Sequence, residues 1–270
     1  MNAKPEAVAN PKPHFAGSSD LGGGWSSLTG WLPVAGQGML AVNAFLLRGR
    51  EPVLIDTGLA ALREPMLDLI DEAVGLAKLR WIWLSHADAD HAGNLAAILE
   101  RAPGATLVTN FLGAGKLDMA GIRPDRLRLV IPGESLRIGA MRLIALRPPY
   151  YDAPESMGFF DSNSRTLFAV DSFGALLPRV CARLAEVDPP ALSDGLAAWS
   201  AIDAPWLADV EPCRLAEALA RLRRLDATRL LSGHLPAATG EDEVLHLLDL
   251  ARRALVPARD SFTARQGAAA

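Results

Sequence analysis

Four of the six side chains in His86-Ala87-Asp88-Ala89-Asp90-His91 can donate a lone pair to a metal ion, in a chain with only five histidines. An extended stretch sends His86, Asp88 and Asp90 to one side, while a turn into a following helix swings His91 toward a neighbouring position. Two sites a few ångströms apart then come within reach. One ion rarely takes so many ligands from one loop, so the pattern reads as a binuclear centre able to activate a bound small molecule or water. A competing reading makes Asp90 a helix cap and leaves the histidines on the surface. It accounts poorly for the clustering. His234, in Ser232-Gly233-His234-Leu235-Pro236, is flanked by turn residues after an apolar run, which is also a ligand-like place. His14, among Pro and Gly residues, and His246, on the polar face of an expected helix, read as solvated.

The elements that must hold these residues follow from hydrophobic spacing. Met39 to Leu47 and Val53 to Ile55 flank the turn-like Arg48-Gly49-Arg50-Glu51-Pro52 and read as a strand pair. Leu62, Met66, Leu69, Ile70 and Val74 recur at helical spacing, and Trp81 to Leu84 is a short buried strand. The His86 cluster sits at that strand's carboxyl end, ahead of a helix on Leu95, Ile98 and Leu99 and a strand over Thr106 to Thr109. Hairpins are expected for Ser135 to Ile138 with Arg142 to Leu146, and for Gly158 to Phe160 with Thr166 to Val170. A helix on Leu215, Leu219 and Leu222, a strand over Arg229 to Ser232 and a helix over about Asp242 to Leu255 complete the pattern.

The chain has 270 residues, 50% hydrophobic and 21% charged, enough for one large core. With 27 Lys and Arg against 31 Asp and Glu, the net charge of −4 excludes a chain-wide footprint for nucleic acid. No apolar run approaches the roughly 20 residues that span a bilayer, and the N-terminus lacks a signal-like segment, so a cytoplasmic protein without membrane partners is expected. Cys181 and Cys213 lack metal-binding spacing and read as buried small hydrophobes. Residues 1–24 and 259–270 read as flexible tails around a single α/β domain over 25–258. Phosphate-loop, GxSxG, HExxH and dinucleotide motifs are missing; Gly113-Ala114-Gly115-Lys116 lacks the upstream glycine spacing.

The sequence resembles the metallo-β-lactamase fold superfamily. The resemblance rests on Leu54-Ile55-Asp56-Thr57-Gly58, on Ser85 to Gly93, on Asp171 within Leu167 to Gly174, and on Gly233-His234. Within the superfamily it is most similar to the diiron domain of flavodiiron proteins and related oxygen-binding diiron proteins, whose loop reads His-x-Glu-x-Asp-His. The likeness extends to Val42 to Leu47, Pro103-Gly104-Ala105, Gly133 to Gly139 and Ser156 to Phe160, and so covers nearly all of Trp31 to Leu255. No flavodoxin-like or rubredoxin-like module is expected after it.

The resemblance implies an αββα sandwich with the metal loop at one edge. It implies a first metal on His86, Asp88 and a ligand near position 152, a second on Asp90, His91 and His234, and Asp171 bridging them. Asp90 and Asp171 take the catalytic role, and Asp56 orients a ligand. Two departures stand out: Asp88 replaces Glu, and Asp152 stands where the family has His, with Glu155 as its rival. Tyr150 and Tyr151 flank Asp152 and are candidates for the pocket wall. Four carboxylates balance two divalent ions and favour iron, with zinc or manganese as alternatives and a bridging oxygen species between the ions. The expected activity is binding or reduction of dioxygen or a related diatomic, as oxidoreductase or sensor, with a separate electron donor. The alternative is a hydrolase of an ester, lactone or phosphodiester acting through a bridging hydroxide. A homodimer is among the assemblies considered.

Overall fold

The computed structural model describes residues 12–256. Among them the first sheet has eight strands: β1 (His14–Gly22), β2 (Trp25–Val34), β3 (Gly38–Leu47), β4 (Val53–Ile55), β5 (Trp81–Trp83), β6 (Thr106–Thr109) and β7 (Leu127–Leu129) in that spatial order, with β12 (Leu176–Leu177) also paired to β3. The second sheet has six, in the order β14 (Leu235–Thr239), β13 (Arg229–Ser232), β11 (Thr166–Phe168), β10 (Gly158–Asp161), β9 (Met141–Leu146) and β8 (Ser135–Ile138). From β4 to β7 the first sheet is parallel, because each return passes through a helical crossover. The crossovers contain α1 (Arg63–Val74), the short α2 (Ala89–Ala92), α3 (Leu95–Arg101) and α4 (Phe111–Met119). The second half carries α5 (Pro189–Asp203), α6 (Pro212–Arg223) and α7 (Glu241–Leu255).

Three apolar layers define the sandwich. Between the sheets lie Trp25, Phe45, Ile55, Trp83 and Val108 from one side and Leu143, Phe159, Phe168 and Leu231 from the other. Behind the first sheet, Leu54, Ile82 and Leu107 meet Met66 and Ile70 of α1, Ile98 of α3 and Leu117 of α4. Behind the second, Leu167, Leu230 and Ala238 meet Leu196 of α5, Leu219 of α6 and Leu247 of α7. The central strands are therefore buried on both faces, which explains why Val53–Ile55 and Trp81–Trp83 read as continuous apolar runs rather than alternating ones. The αββα sandwich expected from the sequence is the fold adopted.

Three local expectations need correction. Residues 14–22 of the expected N-terminal tail form β1, an edge strand running from His14 opposite Trp31 to Gly22 opposite Trp25. Its order comes from the backbone ladder to β2 rather than from side-chain burial, so polar Ser18, Ser19 and Asp20 gave no signal. The remaining parts of both expected tails, 1–11 and 257–270, lie outside the described residues. The strand expected to reach Val170 ends at Phe168, because Val170 takes φ 57°, a left-handed conformation that β-branched residues rarely adopt. Cys181 is buried as expected, but Cys213 is exposed on α6.

Strand ends set the position of the polar cluster. Asp56 follows β4, His86 follows β5, Asp152 lies between β9 and β10, Asp171 follows β11 and His234 follows β13. All of them gather at one edge of the sandwich.

Candidate metal centre

Each histidine of the cluster is fixed through Nδ1. Asp56, buried at the end of β4, accepts from His91 Nδ1 at 2.8 Å, and its other oxygen accepts from the Ser85 amide at 2.7 Å. The Ser85 hydroxyl lies 2.9 Å from His86 Nδ1 and donates to Asp56 at 2.8 Å. His234 Nδ1 donates to the Ala41 carbonyl of β3 at 2.8 Å. Pinning Nδ1 leaves Nε2 as the free donor on all three rings. Asp56, expected to orient a ligand, is placed against His91 by this bond.

The three Nε2 atoms converge on one carboxylate. Asp171 Oδ2 is 3.2 Å from His86 Nε2, and Asp171 Oδ1 is 3.0 Å from His91 Nε2 and 3.2 Å from His234 Nε2. Asp90 Oδ2 lies 3.6 Å from His91 Nε2 and 3.5 Å from His234 Nε2, and Asp152 Oδ1 lies 3.9 Å from His86 Nε2. His86, Asp88 and Asp152 therefore form one potential ligand group, and Asp90, His91 and His234 a second, with Asp171 between them. These are the two groups the sequence reading proposed. His91 Nε2 and Asp171 Oδ1 are buried without a well-formed hydrogen bond, and neither group contains a cysteine. Three buried imidazoles and the buried Asp171, with the more exposed Asp88, Asp90 and Asp152 around them, fit two cations.

Backbone shape holds this register. Val170 accepts a bond from the Gly233 amide at 2.7 Å, tying the loops after β11 and β13 together. A Cβ on Gly233 would stand 2.8 Å from His91 Cε1 and 3.1 Å from Asp171 Oδ1, so only glycine lets the chain pass. The β9–β10 connection is tied to the end of β5 by the Met157 amide on the Ser85 carbonyl at 3.0 Å and Trp83 Nε1 on the Met157 carbonyl at 2.9 Å. Asp88 precedes α2 without a capping bond and Asn94 precedes α3, so the helix-cap reading of Asp90 does not hold.

Charge balance at the cluster is tight. Burial alone would raise the Asp171 carboxyl, but His91 and His86 outweigh it and hold it well below the carboxylate range. Burial would lower His234, yet Asp171 and Asp90 push it up to about 9. His91 is likewise raised well above its ordinary value, with Asp171, Asp90 and Asp56 overcoming burial. Protons on the imidazoles here offset the carboxylates in the way bound cations would.

Other expected residues fall differently. Glu155, the rival ligand, is fully buried and pairs with Lys116 of α4, and it joins none of the ligand groups. Asn110 holds its carbonyl, fixing the loop that turns Glu155 away. Tyr150 is not a pocket residue: its ring is fully buried and its hydroxyl accepts from the Phe173 amide at 2.6 Å. Tyr151 is half-buried, packing on Trp206 with Arg147 over its ring. His14 and His246 are exposed and outside the cluster. Sequence reasoning missed Asp203, at the end of α5, whose carboxylate joins Asp152 and Asp171. Burial, then Asp171, pushes its carboxyl up to about 7. Its only sequence signal is Trp199, one helical turn earlier on the same face.

Known proteins share this fold in outline. Residues 38–111 match the metallo-β-lactamase superfamily. The rubredoxin:oxygen oxidoreductase of the anaerobe Desulfovibrio gigas superposes with a TM-score of 0.75 at 18% identity, over 87% of this chain and 61% of that one. This is the metallo-β-lactamase fold. Flavodiiron proteins are among the solved chains that share it, that of Giardia intestinalis with a TM-score of 0.74 at 20% identity over 90% of this chain and 60% of its own. In sequence, the putative diflavin flavoprotein A 2 of Synechocystis sp. is 31% identical over 133 residues, 49% of this chain and 23% of its own length. The anaerobic nitric oxide reductase flavorubredoxin of Aliivibrio fischeri is 28% identical over 134 residues, 49% of this chain and 27% of its own. The match thus spans about a quarter of these curated relatives. Among the described residues, no helix of this metallo-β-lactamase fold is long and apolar enough to cross a membrane.

Proposed function

We propose that this chain is a non-haem diiron protein that binds or reduces dioxygen or nitric oxide, drawing electrons from a separate donor. The observation that carries the reading is the convergence of His86, His91 and His234 Nε2 on Asp171, flanked by Asp88, Asp90 and Asp152. A carboxylate-rich, thiolate-free set with three imidazoles suits iron better than zinc. The names of the relatives, an oxygen oxidoreductase and a nitric oxide reductase, support the same chemistry. Neither favours the hydrolytic alternative.

In this reading His86, Asp88 and Asp152 would hold one iron and Asp90, His91 and His234 the other, with Asp171 placed between the two groups. Bound iron supplies the electrons that a diatomic molecule takes up. The chain's part is positional. Asp56 and Ser85 fix the tautomers of His91 and His86, and Ala41 fixes that of His234. Apolar layers between and behind the sheets anchor the strands whose ends carry these donors. A cytoplasmic location and a homodimer belong to the same reading.

Protein purified without air and reconstituted with Fe(II) is the test. Two irons per chain, an optical change on adding oxygen or nitric oxide, and consumption of that gas with a reductant are expected. Zinc retention with ester or phosphodiester cleavage and no gas uptake would overturn the proposal.

A further inference from the structure

Helix α5 delivers two side chains to the edge of the metal cluster. Trp199 packs on His234 with ring centroids 4.9 Å apart, a contact that the missing side chain of Gly174 leaves room for. One turn later, at i+4, Asp203 directs its carboxylate to the same place. The segment is locked just beyond it, where Trp206 Nε1 donates to the Tyr151 carbonyl at 2.8 Å, next to Asp152. Asp203 is thus held by packing on both sides rather than reaching in as a free surface chain.

Its surroundings are unfavourable for a carboxylate unless a cation is present. Asp203, Asp152 and Asp171 each offer an oxygen within 4.8 Å of the others. Asp203 Oδ2 is buried and has no hydrogen-bond partner, and Asp171 Oδ1, on a side chain almost wholly buried, faces His91 and His234 Nε2 without a well-formed hydrogen bond. Asp203 also ends a helix whose last turn has no basic residue, where the helix dipole adds more negative potential. Lysine 116, on the neighbouring α4, is engaged with Glu155. Asp171 is buried, Asp203 half-buried and Asp152 more exposed, and like charges packed this closely are stabilised by a positive partner set between them.

We propose that Asp203 is a ligand of the metal held by Asp152 and bridged by Asp171, completing a site in which the short Asp152 stands where a longer imidazole is the family pattern. The inference rests on the binuclear reading above. It adds a fifth carboxylate to Asp88, Asp90, Asp152 and Asp171, and makes α5 part of the centre rather than a cover over it.

Titration of the full-length, metal-free chain with Co(II) against a competing chelator tests this, since Co(II) reports coordination through its visible bands. Wild type should bind two ions. Asp203→Asn, isosteric and expected to melt at or above the wild-type temperature when metal-free, should weaken one of the two by at least about tenfold and alter its visible spectrum. Asp203→Glu should recover part of that affinity. Asp209→Asn, which removes a nearby exposed charge, should change neither quantity. Unchanged affinity and spectrum in Asp203→Asn, or an equal loss in Asp209→Asn, would overturn the assignment while leaving the binuclear reading intact. Wild type that fails to bind two ions would overturn both.

Discussion

Asp56 and His91 form a buried pair in which the carboxylate accepts the Nδ1 proton at 2.8 Å, with both side chains almost wholly out of water. Asp56 also sits at φ 57°, a conformation Asn tolerates well. Asp56→Asn should therefore keep the backbone and lose the charge that selects the Nδ1–H tautomer. The expected result is a 10- to 100-fold weaker hold on the metal of Asp90, His91 and His234, with a smaller effect on the other. Chelator competition on the metal-loaded chain measures it.

Asp171→Ala and His91→Ala should each abolish binding of the metal pair, because Asp171 stands between the two ligand groups and His91 approaches Asp56, Asp90 and Asp171. His246→Ala, on the exposed face of α7, should leave metal content unchanged. Elemental analysis of the three purified variants decides it, and equal metal in all three would refute the ligand assignment.

Glu155 and Asp152 should separate cleanly. Asp152→Ala should empty mainly the site of His86 and Asp88. Glu155→Gln should keep both metals, since Glu155 is directed to Lys116. Lys116→Met should instead cost stability, about 2 kcal/mol after allowing for the partial exposure of Lys116, because it leaves a fully buried carboxylate unpaired. Denaturant unfolding and metal analysis on the same preparations read the two effects apart.

Stability of the metal-free chain should fall as pH rises. His234 moves from 6.5 to about 9 on folding, against burial, through Asp171 and Asp90, so its contribution is complete below pH 6.5 and gone above about 9. His91 runs in the same direction. Asp203, raised by burial to about 7 from 3.8, adds a loss between those values. Asp171 works oppositely: its depressed pKa stabilises above 3.8 and that contribution fades as pH falls below. Melting temperatures between pH 5 and 9 should decline for the metal-free form and decline less once cations replace the protons. A metal-free melting temperature that rises toward pH 9 would contradict this.

The spacing of His86, Asp88, Asp90 and His91 was enough to mark a cluster of potential metal ligands, because donors on one loop are also neighbours in sequence. The strands beneath it were legible for a related reason: burial on both faces makes them short, apolar and bounded by turns. Edge strand β1 was not legible, since a backbone ladder stabilises it and its side chains carry little pattern. Glu155 and Asp152 are three residues apart and chemically alike, and only the tertiary fold, by setting Lys116 beside one and His86 beside the other, sorted them. Asp203 lies 32 positions beyond Asp171 in sequence and belongs to no motif. Its place beside Asp152 follows from how α5 packs against the second sheet, a long-range contact that local residue types do not encode.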